Sequence, residues 1–178
     1  MRLPRLREVL AAAALVLALP AFAGPPTTFP ATYDCTSLAR QTLHATAAGR
    51  TFTQKDQFAS AGPMTFVDAK KLSIASGDPE FPDLAAKYKT TQKGVVRYTL
   101  TRASRRDFLS FFRRQLRANG LRGTTTATFG TGRIEFSEDG STLDGKQTIR
   151  LGFSGAVRGI GVEVTGTVRM TFTGTLAP

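Results

Sequence analysis

The chain has 178 residues, and its 24 lysines and arginines against 13 aspartates and glutamates give a formal net charge of +11. A single cysteine excludes an intramolecular disulfide, so stability must come from burial and hydrogen bonding. A chain this basic favours anionic partners such as lipid head groups, nucleic acid or acidic glycans.

The first 23 residues have the three parts of a secretory signal peptide. A basic start over 1–7 precedes an apolar run over 9–19, and the segment Ala21–Ala23 places small residues at the positions that a signal peptidase reads. The apolar run is shorter than the about 20 residues that a membrane-spanning helix needs. We therefore expect cleavage near Ala23 and a periplasmic or secreted protein. Export disfavours nucleic acid as a partner.

Residues 24–33 are rich in proline and threonine and predict a flexible linker, and residues 34–178 predict a single β-rich domain. The segment 34–48 is ambiguous, because its sparse apolar positions also permit a short helix that Gly49 would end. Cys35 is either a small buried hydrophobe or a thiol free to pair with another chain. Burial is the favoured interpretation, because free cysteines are among the most buried residues.

The middle of the chain predicts two short strands. Alternating apolar residues indicate strands over 71–75 and 95–101. The tripeptide Ala61-Gly62-Pro63 is typical of a turn, and Asp83 is a possible cap for one helical turn that ends at Tyr88.

One segment has a strong helical period and predicts an amphipathic helix over 104–119. Ser104 is the expected N-cap, and Asp107 suits the positive end of the helix dipole. Asn119-Gly120 predicts a left-handed C-terminal stop. Aromatic residues lie on one side of this helix and arginines lie on the other.

The last third predicts β structure. A strand over 124–136 is expected to be kinked or bulged near Gly130 and Gly132, and Asp144-Gly145 is typical of a tight turn. Strict alternation of apolar and polar residues predicts two longer strands, over 147–157 and 160–176.

The fold class that follows is mainly β with one helix (α+β). We expect a curved antiparallel sheet or a lipocalin-like barrel, with the amphipathic helix packed on it or capping it. In architecture alone, this layout resembles periplasmic lipid-binding folds and lipocalin-like barrels.

The function predicted from these features is non-enzymatic binding in the cell envelope. The expected partner is an apolar or amphipathic, lipid-like ligand with an anionic head, or an anionic membrane surface. Arginine suits such a head group because its planar fork donates two hydrogen bonds at once. The candidate ligand-binding residues are Phe153, Met170 and Phe172 for the apolar part and Arg113, Arg114 and Arg117 for the charge.

Two alternatives stay open. A filled core with the arginines as a solvated face would make the protein a structural or protein-interaction module without a ligand cavity. An enzyme that uses Cys35 and His44 as nucleophile and base is the third hypothesis, although no known signature surrounds either residue. The sequence contains no cofactor or metal motif, so neither is predicted.

Overall fold

A computed structural model describes residues 24–76, 81–91, 94–157 and 159–178. The predicted signal peptide, residues 1–23, lies outside the described residues. The described parts of the chain form nine strands and one helix: β1 (Ala31–Ala47), β2 (Arg50–Asp68), β3 (Lys71–Ile74), β4 (Leu84–Thr90), β5 (Val96–Leu100), α1 (Arg102–Ala118), β6 (Arg122–Phe129), β7 (Gly132–Phe136), β8 (Thr142–Val157) and β9 (Ile160–Leu176).

All nine strands belong to one antiparallel sheet that curves back on itself. The order is β6-β8-β7-β5-β4-β3-β2-β1-β9, and a further pairing of β8 with β9 closes the eight strands other than β6 into a ring. Strand β8 pairs with β7 along its first part and with β6 along its second part. The predicted mainly β fold with a curved sheet and one helix is confirmed.

Differences in strand length leave the ring closed at one end only. Strands β3, β4, β5 and β7 have four to seven residues, whereas β1, β2, β8 and β9 have 16 to 19. We call the part where all of these strands pair the closed end. The long strands and β6 continue beyond it as the open sheet, in the order β6-β8-β9-β1-β2.

The closed end is filled by aromatic side chains. The ring of Phe66 contacts those of Tyr33, Tyr88 and Phe136 at centroid distances of 5.9, 5.2 and 5.6 Å. All four side chains are buried. Such edge-to-face and tilted ring pairs add to the free energy of burial, so the closed end is a packed core.

Strand β1 differs from the prediction for its segment. It begins at Ala31, so the last three residues of the expected linker belong to the sheet. The helical alternative for 34–48 is wrong, because this segment pairs with β2 on one side and β9 on the other. Tyr33 and Cys35 are buried on its inward side, which favours an extended strand over a helix.

Three turn or helix predictions are also wrong. Strand β2 continues through Gly62-Pro63, and the carbonyl of Pro63 accepts a hydrogen bond from the N–H of Ala75 at 2.9 Å. Residues 84–90 form strand β4 rather than a helical turn. Asp144-Gly145 lies within β8 rather than in a turn.

The strand predicted over 124–136 is two strands, β6 and β7, which a bulge separates near the predicted Gly130 and Gly132. Gly130 and Thr131 lie between β6 and β7, and both strands pair with β8 across this irregularity. The N–H of Gly130 donates to the carbonyl of Thr148 at 2.9 Å. The bulge therefore redirects the chain without releasing it from the sheet.

The predicted helix is present, with a corrected start. Its N-cap is Thr101 rather than Ser104, because the hydroxyl of Thr101 accepts the N–H of Ser104 at 3.2 Å. At the other end, Gly120 has a φ of +78° and Leu121 donates to the carbonyl of Leu116 at 2.9 Å. This Schellman stop is the predicted left-handed one.

Candidate functional site

Helix α1 stands on the side of the ring where β4 begins and β5 ends. The buried Ser104 hydroxyl accepts a hydrogen bond from the N–H of Ala85 at 2.7 Å. The guanidinium of Arg105 donates from Nε to the carbonyl of Leu100 at 2.9 Å. These two bonds attach the first turn of the helix to the ends of two short strands.

An aromatic seam fixes the rest of the helix against the sheet. The ring of Phe108 contacts Phe81 on one side, at 5.7 Å between centroids, and Phe129 of β6 on the other, at 5.2 Å. Phe111 also contacts Phe81, at 5.0 Å. The apolar side of α1 therefore packs against the β6 edge of the open sheet, as its helical period predicts.

The inward side of the open sheet is apolar but only partly covered. Leu43 and Val168 on this side are half-buried. Phe52 and Phe58 of β2, on the same side, are 59% and 52% exposed. The sequence-based list of candidate ligand-binding residues did not include these two phenylalanines. Each is an even number of residues from the buried Phe66, and this spacing predicts that all three lie on the same side of the strand.

One row of this inward side crosses the whole open sheet. In register order it consists of Thr125 in β6, Phe153 in β8, Val164 in β9, Ala45 in β1 and Phe52 in β2. Four strand spacings make this row about 19 Å long. We call it the apolar row.

The structure places Arg113 at one end of the apolar row. Its guanidinium donates to the carbonyl of Thr125, at 3.5 Å from Nη2. Phe153, the cross-strand neighbour of Thr125, is buried. Arg113 and Phe153, two of the residues predicted to bind ligand, therefore lie close together. Arg114 and Arg117 lie on the exposed side of the same helix, within one turn of Arg113.

Met170 and Phe172 lie elsewhere. Val164 is the residue of β9 opposite Phe153, so Met170 and Phe172 are about 20 and 26 Å farther along that strand. The Phe172 ring belongs to the closed end, where its centroid lies 6.4 Å from that of Tyr98. The structure therefore does not bring the six predicted residues together in one site.

Cys35 and His44 point away from each other. Both are in β1, nine positions apart, so their side chains lie on opposite sides of the strand. Cys35 is buried on the inward side, and burial raises the pKa of its thiol to about 11. The imidazole of His44 is exposed and its Nδ1 lies 2.9 Å from the hydroxyl of Thr53. The two residues do not form the nucleophile–base pair that the sequence left open.

Burial also raises the pKa of the Tyr98 phenol. This hydroxyl donates to Oε1 of Gln147 at 3.2 Å, and Nε2 of Gln147 donates to the carbonyl of Gly130 at 3.2 Å. A buried polar chain thus connects β5 to the bulge. Within the part of the chain that the structure describes, no group of three His, Cys, Asp or Glu side chains is placed to hold a metal ion.

The fold and the apolar row define a class of protein: a mainly β protein whose antiparallel sheet is ring-shaped at one end and open, with an apolar inward side, at the other. No protein-family model matches the chain, and no curated protein matches it. In the described residues, no helix is both long and apolar enough to cross a membrane.

Among solved structures, the chain is similar at low level to the ywiB protein from Bacillus subtilis. The identity is 11% and the TM-score 0.23, over 80% of this chain and 92% of that one. It is also similar to a multidomain protein including DUF1735 from Bacteroides ovatus, with 12% identity and a TM-score of 0.26. That match covers 83% of this chain and 51% of the other, so this chain spans about half the length of that structure.

Proposed function

We propose that this protein binds an amphipathic ligand of the cell envelope without changing it chemically. The apolar part of the ligand lies along the apolar row, and its anionic head meets Arg113 and the neighbouring Arg114 and Arg117. The closed end is the rigid base that holds the open sheet in shape. The periplasmic or secreted location predicted from residues 1–23 is part of this proposal.

The observation that carries this proposal is the asymmetry of the apolar row. It has a guanidinium at one end, at Thr125, and an exposed phenylalanine, Phe52, at the other. Between them lie only Phe153, Val164 and Ala45. A strip with one charged end and an apolar body matches the two parts of an amphiphile.

The head end has an excess of positive charge. Asp107 is the only acid in α1, and it makes an ion pair with Arg106 rather than with the arginines of the later turns. Arg113, Arg114 and Arg117 thus have no carboxylate partner in the described residues. A phosphate or carboxylate head would supply one.

A second candidate function is a protein-interaction module. In the described residues, β3 pairs with β2 only from Met64 onward, so residues 50–61 have a single neighbour, β1. Such an edge exposes backbone N–H and C=O groups that an extended peptide can pair with. The exposed Phe52 and Phe58 would then contact that peptide instead of an amphiphile.

Native mass spectrometry of the protein purified from its own envelope tests the proposal. We expect a co-purified amphiphile that denaturing extraction releases. A mass equal to that of the bare chain, unchanged after incubation with envelope lipids, would contradict ligand binding. An additional mass that proves to be a polypeptide would support the interaction module.

Variants locate the ligand. Dodecyl phosphate is the anionic probe, and dodecanol is its neutral counterpart. Replacing Phe52 by alanine should weaken binding of both probes about tenfold or more, because apolar contact area at the end of the apolar row is lost. The matched control is Val67→Ala, which removes an exposed apolar side chain from the outward side of the same strand.

The head contact has its own variant. Arg113→Glu with Arg117→Glu should weaken binding of dodecyl phosphate and leave dodecanol unchanged, because only the phosphate interacts with the arginines. An equal loss for both probes would mean that the helix arginines do not contact the head.

A further inference from the structure

The outward side of the sheet carries a basic band that the strand register assembles. Outward residues of β4, β5, β7 and β8 lie opposite one another in the order Lys89, Arg97, Arg133 and Lys146. This order contains three directly opposed pairs of cations. A fourth opposed pair lies in the adjacent row, where Arg40 of β1 faces Arg169 of β9.

The next row adds two more cations, Arg150 of β8 and Lys55 of β2. These three consecutive rows contain no acidic residue. Of the eight cations, Arg133 alone makes an ion pair within the described residues, and its partner, Glu135, lies in the row below. We call the outward side of these three rows the basic band.

The basic band is unfavourable for the isolated fold. Like charges that face each other across neighbouring strands destabilise a sheet, whereas opposite charges stabilise it. An outward side that only keeps the protein soluble would mix the two signs. Four opposed cation pairs without intervening acids therefore indicate a surface whose repulsion is relieved by an external anion.

The bulge shapes the centre of the band. A depression of about 400 Å³ lies over Gly130 and Thr131, and four cations border it: Arg97, Arg133, Lys146 and Arg169. Four cations around one depression, of which Arg133 alone is ion-paired in the part of the chain that the structure describes, suit a single carboxylate, sulfate or phosphate group.

We propose that the basic band binds a linear acidic polysaccharide, with one acidic group seated in the depression. The band crosses seven strands, from β4 to β2, and is therefore about 29 Å long. Threonine hydroxyls interleave the cations, at Thr42, Thr167 and Thr171, and these hydroxyls can hydrogen-bond to sugar hydroxyls. This surface is opposite to the apolar row, so the inference does not rest on the proposed ligand site and shares with the proposed function only the predicted export.

Three features favour a polysaccharide over other polyanions. The band follows the convex side of the ring, so a flexible chain can contact its whole length, whereas a flat membrane or a stiff DNA duplex contacts a part of it. It contains no aromatic side chain, and single-stranded nucleic acids rely on aromatic stacking. The predicted export also places the protein among envelope glycans.

Titration calorimetry with a short dextran sulfate tests the inference, and unsulfated dextran of the same length is the neutral control. We expect the parent protein to bind only the sulfated chain, and more weakly as salt concentration rises. Arg97→Gln with Lys146→Gln should weaken binding about tenfold or more, because two charge-assisted contacts are lost. Arg102→Gln with Arg106→Gln removes the same charge from exposed helix positions and should change binding less than about twofold.

Thermal unfolding of the double band variant, and of Lys146→Gln alone, tests whether these variants are folded. Lys146→Gln alone should unfold at the same temperature as the parent or higher, because it removes repulsion with Arg133. Dextran sulfate should raise the unfolding temperature of the parent more than that of the double band variant. Phe52→Ala with Phe58→Ala should leave dextran sulfate binding unchanged, which separates this surface from the proposed ligand site.

Three results would overturn the inference. Equal weakening by the band and helix variants would mean that net charge alone drives binding. Tighter binding of phosphatidylglycerol vesicles or duplex DNA than of dextran sulfate would assign the band to another class of partner. No binding of dextran sulfate at low salt would exclude a polysaccharide.

Discussion

The ring of Phe172 in β9 lies directly over the backbone of Gly145 in β8. The two residues are cross-strand partners on the inward side of the closed end. A Cβ at Gly145 would overlap that ring. The glycine is therefore a packing requirement inside a strand, where its sequence context had predicted a turn.

Gly145→Ala should lower the free energy of unfolding by about 1–3 kcal/mol, because the added methyl group overpacks the closed end. Urea unfolding followed by far-UV circular dichroism measures the change. Gly161→Ala is the matched control in β9, since a Cβ there meets no atom within 4 Å. It should change stability by less than about 0.5 kcal/mol. Equal effects of the two substitutions would show that backbone flexibility rather than packing determines the change in the free energy of unfolding.

Tyr98→Phe should destabilise the protein by about 1–3 kcal/mol, because Oε1 of the buried Gln147 loses its donor. A double-mutant cycle with Gln147→Leu measures the coupling. We expect the double variant to be more stable than the sum of the single losses predicts. Strict additivity would mean that the hydrogen bond at 3.2 Å contributes nothing.

The start of α1 offers a comparison between two hydroxyls. Thr101→Ala removes the N-cap and should cost about 1 kcal/mol. Ser104→Ala leaves the N–H of Ala85 without its acceptor and should cost about 1–3 kcal/mol. Thermal unfolding of the two variants measures the order. A larger loss for Thr101→Ala would mean that the cap matters more than the attachment of the helix to β4.

Cys35 should react slowly with iodoacetamide in the folded protein. A thiol with a pKa of about 11 has a thiolate fraction at pH 8 that is about a hundredfold below that of an ordinary cysteine. The alkylation rate, with and without denaturant, measures this protection. A rate equal to that of free cysteine would show that the thiol is not buried.

The same thiol gives a pH dependence of stability. Because the pKa of Cys35 is raised on folding, its contribution is fully present below the ordinary thiol pKa of 9.0 and is lost as the pH rises toward about 11. Relative to Cys35→Ala, the parent should therefore lose stability between pH 9 and 11. Urea unfolding across this range tests the difference, and a constant difference would contradict the shift.

Local patterns predicted much of the secondary structure. The alternation in β5, β8 and β9 and the helical period of α1 are visible in consecutive residues, and the structure confirms them. The prediction failed for β1 and for the Gly62-Pro63 part of β2. In those segments large apolar residues are sparse, so no local period predicts a strand, and pairing with the neighbouring strands decides the conformation.

The residues of the candidate site were also predictable only in part from the sequence. The sequence identified Arg113 and Phe153 separately, because each belongs to an element with a clear period. It also placed Met170 and Phe172 in the same group, since strand alternation shows which side a residue faces but not how far along the sheet it lies. The row that joins Thr125 to Phe52 depends on four strand registers.

By itself, then, the sequence determined the β-rich class, the amphipathic helix and the inward and outward sides of the late strands, because these properties depend on neighbouring residues. The tertiary structure decided the ring closure between β8 and β9, the fit of Gly145 under Phe172 and the assembly of the basic band. Each of these depends on which residues face each other across strands. Pairing register is set by the packing of the whole sheet, which no single segment contains.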